Sequence, residues 1–366
     1  MKKTRIALAA GLLAALTLSA CGTAAPTSQT TGESAEPTAA APALSLSACG
    51  GSVGSGQIAT NPIATPDTSI EHKMAITMIV EHPSLVKISD GFKDAISDAG
   101  VKVSYVEDSA QNDVANTTTI AGKYASDPDI EVILAIATPS AQAMVNAVSD
   151  RPILYAGVTD PVTAGITAAW GATGTNVSGT SDLNPNGCPL ALVQEALGVE
   201  KVVKVGFPYT LTEQNSAVQL QQLQDEAEGT GVEIVPAGIS SAAELTQALE
   251  TLKSKGVSAI HIGTDNTIVN SVEQVIAFCQ QNQIPLFSLD TDSVEKGTIA
   301  ARGIDYYKLG RATGEMALQI LGGTDVGTIA QLQVLDTQIV ANPAAAASFG
   351  VELPAAFTEG AQLVES

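Results

Sequence analysis

The sequence predicts an α/β protein of two lobes, each carrying a mainly parallel sheet between helices. Three observations predict it. Short apolar runs alternate with helical stretches along most of the chain, the pattern of βαβ units. That alternation runs once from about 73 to 182 and starts again after Asp182. The length of 366 residues exceeds what one hydrophobic core comfortably supports. Many of the apolar runs end in short polar clusters. In open parallel sheets, ligands bind just outside the carboxyl ends of the strands. The clusters are therefore expected to face one another across a cleft between the lobes.

Residues 1–20 read as a lipoprotein signal peptide. Lys2, Lys3 and Arg5 form a positive leader, and 6–18 is an apolar stretch too short for a stable membrane span. Leu18-Ser19-Ala20-Cys21 resembles the bacterial lipobox, in which Cys21 is lipidated and becomes the mature N-terminus. Such an anchor places the chain on the extracytoplasmic face of the cell membrane. Residues 21–71 are rich in Ala, Thr, Ser, Pro and Gly and cannot bury enough apolar surface to offset their ordering entropy. They are expected to form a flexible linker. A second lipobox lookalike around Cys49 has no basic-apolar leader and reads as an oddity of that linker. For Cys188 and Cys279, a disulfide and two separate core cysteines both remain open, since spacing alone establishes neither.

The body begins near Lys73. A strand is expected over 75–80, ending in Glu81-His82-Pro83-Ser84. Leu85, Ile88, Phe92, Ile96 and Ala99 then recur at helical spacing up to Gly100. Strands over 101–106, 132–137, 152–158 and 176–180 follow, with helices over 113–125 and from Thr138. The unbroken apolar character of 132–137 suits a strand covered on both faces. The second run places helices at 189–197, after Glu213, at 242–252, from Asn266 to about 281, and at 307–321. Its strands are expected at 202–207, 232–235, 259–262, 285–289 and 298–303.

Composition narrows the function. A formal net charge of −21 argues against a nucleic-acid partner, which would want a basic stripe. The first strand is followed by Glu81-His82 rather than a Gly-x-Gly-x-x-Gly turn, and neither a phosphate loop nor a Gly-x-Ser-x-Gly elbow is present. His72, His82 and His261 lack metal-ligand spacing. No cofactor is implied, and an enzyme is disfavoured.

Several segments together resemble a known family. Glu81-His82-Pro83, Ala137-Thr138-Pro139-Ser140-Ala141-Gln142, Val158-Thr159-Asp160-Pro161-Val162 and Asn176-Val177-Ser178-Gly179 look like motifs of ABC-importer solute-binding lipoproteins. That family includes the tryptophan and aromatic amino-acid binding proteins. Glu213-Gln214-Asn215-Ser216 and Asp305-Tyr306-Tyr307-Lys308-Leu309-Gly310 extend the likeness into the second half. The resemblance implies a type I periplasmic-binding-protein fold, two Rossmann-like lobes joined by three hinge crossings. We place these near 181–184, 303–306 and 332–336, so that 73–182 and 305–330 form lobe 1 and 183–304 and 331–356 form lobe 2. It also implies a monomer that captures a small molecule, an amino acid by family analogy, and delivers it to ABC permease subunits. A ligand-sensing module for a membrane signalling partner is the alternative, and a secreted α/β enzyme the next.

The candidate site is read from the strand ends. Thr138, Pro139 and Ser140 open a helix whose free N–H groups suit a carboxylate, although Thr138 equally suits helix capping. Thr159 and Asp160 offer a hydroxyl and a carboxylate, the latter either for a ligand ammonium or for its own turn before Pro161. Glu81 and His82 end the first strand of the same lobe. The facing wall is expected to hold Tyr209, Glu213, Asn215, Thr264, Asp265, Asn266 and Asp290. Asn215 and Asn266 each donate and accept, which suits a ligand bearing both charge signs. Asp160, Asp265 and Asp290 compete as the ammonium partner. Trp170 reads as a surface or rim residue.

Overall fold

The apolar run after Glu71 becomes β1 (Glu71–Met78), followed by α1 (Pro83–Asp98), β2 (Lys102–Ser109) and α2 (Val114–Ala125). Next come β3 (Val132–Ile136), α3 (Thr138–Ala147), β4 (Ile153–Ala156) and β5 (Val177–Ser181). The computed structural model describes Leu44 and residues 66–184, 188–333 and 337–364. The signal peptide, Cys21, Cys49 and nearly all of the linker lie outside the described residues.

The second run contains α4 (Pro189–Leu197), β6 (Lys204–Thr210), α5 (Gln214–Ala227), β7 (Glu233–Ile239), α6 (Leu245–Ser254) and β8 (Ala259–Ile262). It continues with α7 (Asn266–Asn270), α8 (Val272–Gln281), β9 (Leu286–Ser288), α9 (Asp292–Lys296) and β10 (Ala300–Ile304). The chain then returns through α10 (Tyr306–Leu321) and β11 (Leu332–Gln333) before β12 (Thr337–Ala341), α11 (Pro343–Ser348), α12 (Ala355–Glu359) and β13 (Gln362–Leu363).

Two sheets result. The first has the order β11-β5-β4-β3-β1-β2 and is parallel throughout. The second has the order β13-β12-β10-β9-β8-β6-β7 and is parallel except for the β10–β12 pair. The chain passes from one sheet to the other three times, after β5, after β10 and after β11. Each sheet has its own core, one around Ile133, Leu134 and Phe92, the other around Val205, Ile260 and Phe287.

Several expectations shift. Strand β6 runs on through Pro208 to Thr210, because β8 pairs only with Val205 and Gly206 and asks no hydrogen bond of Pro208. The helix expected from Asn266 to 281 is divided at Ser271 into α7 and α8. Leu332 and Gln333 pair with Thr180 and Ser181, so the chain leaves the first sheet after 333 rather than 330. Leu332 is the physical reason, since its side chain is buried in the first core. Residues 362 and 363 add a strand to the second sheet beyond the expected limit at 356. Leu44 of the linker packs against the second core, and its N–H donates to Gln194 Oε1 at 3.4 Å. Cys188 is disulfide-bonded while Cys279 is a free, buried thiol, so these two are not joined to each other.

One helix pair fixes the cleft geometry. A Cβ on Gly310 of α10 would lie 2.1 Å from the Ile88 carbonyl oxygen of α1, and one on Gly91 would lie 2.1 Å from that of Tyr307. Only glycine permits backbones to approach so closely. The contact sets the start of α10, and with it Tyr306, beside the ends of the first-lobe strands.

Candidate ligand-binding cleft

The ends of β1, β3, β4 and β5 meet those of β8 and β9 around a cavity of about 30 Å³. From the first sheet come Val80, His82, Ser84, Thr138 and Thr159; from the second, Asn215, Thr264, Asn266, Val269 and Asp290. Asp182 and Tyr306, which sit at two of the crossings, complete it.

The first lobe presents donors. Ala137 precedes α3 with φ 72° and ψ 156°, an uncommon conformation for alanine, and caps the helix with no side-chain hydrogen bond. Thr138 is therefore the first residue of α3 and not its cap, which corrects the capping reading. The hydroxyls of Thr138 and Ser140 are buried without partners. Free N–H groups and the positive end of the helix dipole thus converge with an uncommitted hydroxyl, a setting that favours an anion. His82 caps α1, its Nδ1 accepting from the Ser84 N–H at 3.3 Å, while Nε2 has no partner. Burial, reinforced by the Lys296 charge, lowers its pKa to about 4 and keeps the ring neutral.

The crossing after β5 and the opposite wall present acceptors. Asp182 receives the Thr159 hydroxyl at 2.9 Å and the Tyr306 hydroxyl at 3.2 Å. Its burial raises the carboxyl pKa above the usual range, and burial together with the Asp182 charge raises that of Tyr306. Asp290 caps the turn into α9, accepting the Ser293 N–H and hydroxyl at 2.8 Å each. Burial pushes its pKa up to about 6. Asn215 donates to Glu213 Oε2 at 3.2 Å and to the Thr264 carbonyl at 3.1 Å, leaving Oδ1 buried and unpaired. No lysine or arginine is among the described residues lining the cavity.

Other expected residues stand behind this wall. Glu213 accepts from the Asn266 N–H at 2.9 Å, the Asn266 amide at 2.6 Å and the Thr267 hydroxyl at 3.2 Å, so it orients Asn266. Its burial, with the Asp265 charge nearby, raises its pKa. Asp265 caps α7 and accepts from the Thr210 N–H, the Thr210 hydroxyl and the Ser216 hydroxyl. Neither carboxylate lines the cavity.

Asp160 is the clearest correction. Its carboxylate accepts from the Val162 N–H at 2.9 Å, the Thr163 N–H at 3.2 Å and the Thr163 hydroxyl at 2.7 Å, and it lies outside the cavity lining. It holds its own turn, and Asp182 lines the cavity instead. Glu81 is exposed, with Gln111 within 3.5 Å, and Tyr209 is half-buried against the second core. Pro139 and Ser140 are buried in the first turn of α3, just behind Thr138. Trp170 is 41% exposed, as a surface residue should be. Sequence reasoning missed Asp182 and Tyr306 as site residues because it read both segments as hinge. The polar end of β5 was the available signal for Asp182.

The lobes touch across the cleft. Ser84 Oγ donates to Asp292 Oδ2 at 2.5 Å, and the Lys87 ammonium pairs with the same carboxylate. Gln219 Nε2 reaches Thr159 Oγ1 at 3.5 Å.

Two Rossmann-like lobes, three crossings and a polar cleft between strand ends define a type I binding protein of the kind that closes around a solute. The chain belongs to the ABC transporter substrate binding protein family, whose pattern it matches over residues 73–364. It is 39% identical over 291 residues to a tyrosine-binding protein of Clostridioides difficile, covering 78% of this chain and 83% of that one. It resembles a Streptococcus pneumonia ABC domain in complex with L-Trp, with TM-score 0.75 and 28% identity, over 81% of this chain and all of the other. The ligand-free, open structure of a Clostridium difficile substrate binding protein with adhesive properties is 37% identical over 81% of this chain and 99% of that one, yet gives a TM-score of 0.60. The weaker superposition on the more similar sequence agrees with the contacts across the cleft: the lobes here are closed. The protein is thus a substrate-binding component of an ABC transporter. Among the described residues, no helix is long and apolar enough to cross a membrane.

Proposed function

We propose that the protein captures an aromatic α-amino acid between its lobes and delivers it to an ABC permease, while held at the membrane by a lipid on Cys21. The polarity of the cleft carries this reading. The N-terminus of α3 and the Thr138 hydroxyl suit the ligand carboxylate, and Asp182, Asp290 and Asn215 Oδ1 suit its ammonium. Val80, Leu85, Val269 and the Tyr306 ring supply an apolar wall for the side chain. The tyrosine-binding and L-Trp-bound relatives support the aromatic choice. A cavity of about 30 Å³ admits such a ligand only when the lobes part, so opening precedes capture. The chain is expected to act as a monomer, since one copy supplies both walls.

Thermal denaturation of the soluble body tests the ligand. A true ligand at 100 times its Kd adds about 2.7 kcal/mol of stability. Tyrosine, tryptophan or phenylalanine should raise Tm, whereas alanine and simple sugars should not. A sugar that raises Tm while all three aromatic amino acids leave it unchanged would falsify the reading. Metabolic labelling with a fatty acid, lost in Cys21→Ser, tests the anchor.

A further inference from the structure

Leu44 gives the linker a foothold on the second lobe. It packs against the second core, and its N–H donates to Gln194 Oε1 at 3.4 Å. Gln194 belongs to α4 and is only 1% exposed. It ends a run of consecutive buried residues, Leu190 to Gln194. At about 3.6 residues per turn this run sweeps more than a full turn, so α4 is covered on every side. From the body, β10 and α5 pack against the helix. Leu44 is where the linker joins that cover.

The same helix begins at a bridged sulfur. Cys188 immediately precedes Pro189, the first residue of α4, and is disulfide-bonded. Its φ of 41° is uncommon outside glycine and persists only where the surroundings impose it. The chain has four cysteines and the structure holds one copy of it, so the partner is Cys21, Cys49 or Cys279. Cys279 is a free thiol buried in the second core. Burial pushes that thiol up to about 12, so it holds too little thiolate to exchange into the bridge. Cys21 is the lipid-bearing sulfur of the proposed anchor, and a sulfur that carries a lipid forms no disulfide. Cys49 is left. Its reach agrees, since Cys188 lies about 9 Å along the α4 axis from Gln194. The chain from Leu44 to Cys49 extends up to about 17 Å.

We propose that the linker docks on α4 and is fastened there by a disulfide between Cys49 and Cys188, which ties the membrane anchor to the second lobe. The exclusion of Cys21 rests on the lipid reading above; the foothold at Leu44 and the bond at Cys188 do not. In forming the bond the two thiols give up two protons and two electrons to an external disulfide, which departs as two thiols. The extracytoplasmic face of the membrane is where such bonds form and persist. Only the stretch between Cys21 and Cys49 then spans the distance to the membrane. A pull on the lipid reaches α4 rather than β1. The cysteine that looked like an oddity of the linker becomes its fastening point.

Peptide mapping of the full-length protein, purified without reductant and with its thiols blocked, tests the bond. A glutamate-specific protease cuts after Glu33, so Cys21 and Cys49 fall in different peptides. Mass spectrometry of the monomer should find residues 34–71 joined to 132–195, and reductant should part them. A bridge from Cys188 to Cys21, a bridge between two copies, or Cys188 recovered as a blocked thiol would overturn the proposal. Cys49→Ser should leave Cys188 as a thiol that takes up a maleimide. In the same variant, hydrogen exchange at the Leu44 N–H should quicken at least about tenfold once the fastening is lost. Unchanged exchange there would show that no such bond holds the linker. The mapping needs no variant, so it decides the matter even if Cys49→Ser fails to fold. Cys21→Ser should lose the lipid and keep the Cys49 to Cys188 bond, which separates failure of the lipid reading from failure of this one.

Discussion

Ser84 of the first lobe donates its hydroxyl to Asp292 of the second, joining the first turn of α1 to that of α9 across the cleft. Asp292 is buried, and the partly exposed Lys87 pairs with it as well. The bond exists only while the lobes are together, so its free energy biases the closed state. Asp292→Asn, nearly isosteric, is expected to weaken ligand affinity by about three- to tenfold, given the screening of Lys87. Calorimetry measures the affinity, and small-angle scattering should show a larger radius of gyration in the unliganded variant. An unchanged radius would show that this pair does not hold the lobes together.

Asp182 links Thr159, Tyr306 and the proposed ammonium position. Asp182→Asn should lower aromatic amino-acid affinity by about 10- to 100-fold, the range for losing a charged hydrogen-bond partner. Asp160→Ala should do much less, since its carboxylate serves its own turn. The reverse ranking would return Asp160 to the site.

Thr138 offers a separate test, because its hydroxyl is buried and unpaired without ligand. Thr138→Val should leave Tm unchanged or slightly raised while reducing affinity by about five- to tenfold. A large drop in Tm would show a structural role for the hydroxyl instead.

Binding and stability should respond to pH in opposite directions at Asp290. Its folded pKa of about 6 stands above the unfolded value of 3.8. The folded state therefore holds a proton between these values that the unfolded state lacks. The resulting stabilisation is fully present below 3.8 and is lost as pH rises through about 6. An ammonium ligand needs the ionised carboxylate, so affinity should fall up to about tenfold per unit as pH drops below 6. Asp182 and Glu213 shift in the same direction, and Asp290→Asn isolates the contribution of this group. Titration calorimetry with the variant should show a flatter pH profile than the parent.

The crossing of α1 and α10 leaves no room for a methyl group. Gly310→Ala places a Cβ 2.1 Å from a backbone carbonyl oxygen, which no rotamer change relieves. A loss of about 2–4 kcal/mol is expected, with ligand affinity reduced as well because Tyr306 begins the displaced helix. Denaturant unfolding followed by calorimetry on the surviving folded fraction checks both.

The sequence by itself determined the two-lobe α/β architecture, because apolar runs at strand length and helical periodicities are local signals. The strand ends carrying Thr138, Thr159, Asn215, Thr264 and Asp290 were legible for the same reason, since a parallel strand points its carboxyl end at the cleft. The tertiary structure alone decided which side chain at each end faces the cavity. Asp160 and Asp182 are both acidic residues following strands, yet one is consumed by its own turn and the other is aimed inward by Thr159 and Tyr306. Tyr306 enters the site only because glycines nearly 220 positions apart, Gly91 and Gly310, let two helices touch. Such long-range approach leaves no periodicity to read. The same holds for Ser84 and Asp292, whose meeting depends on how three crossings set one lobe against the other.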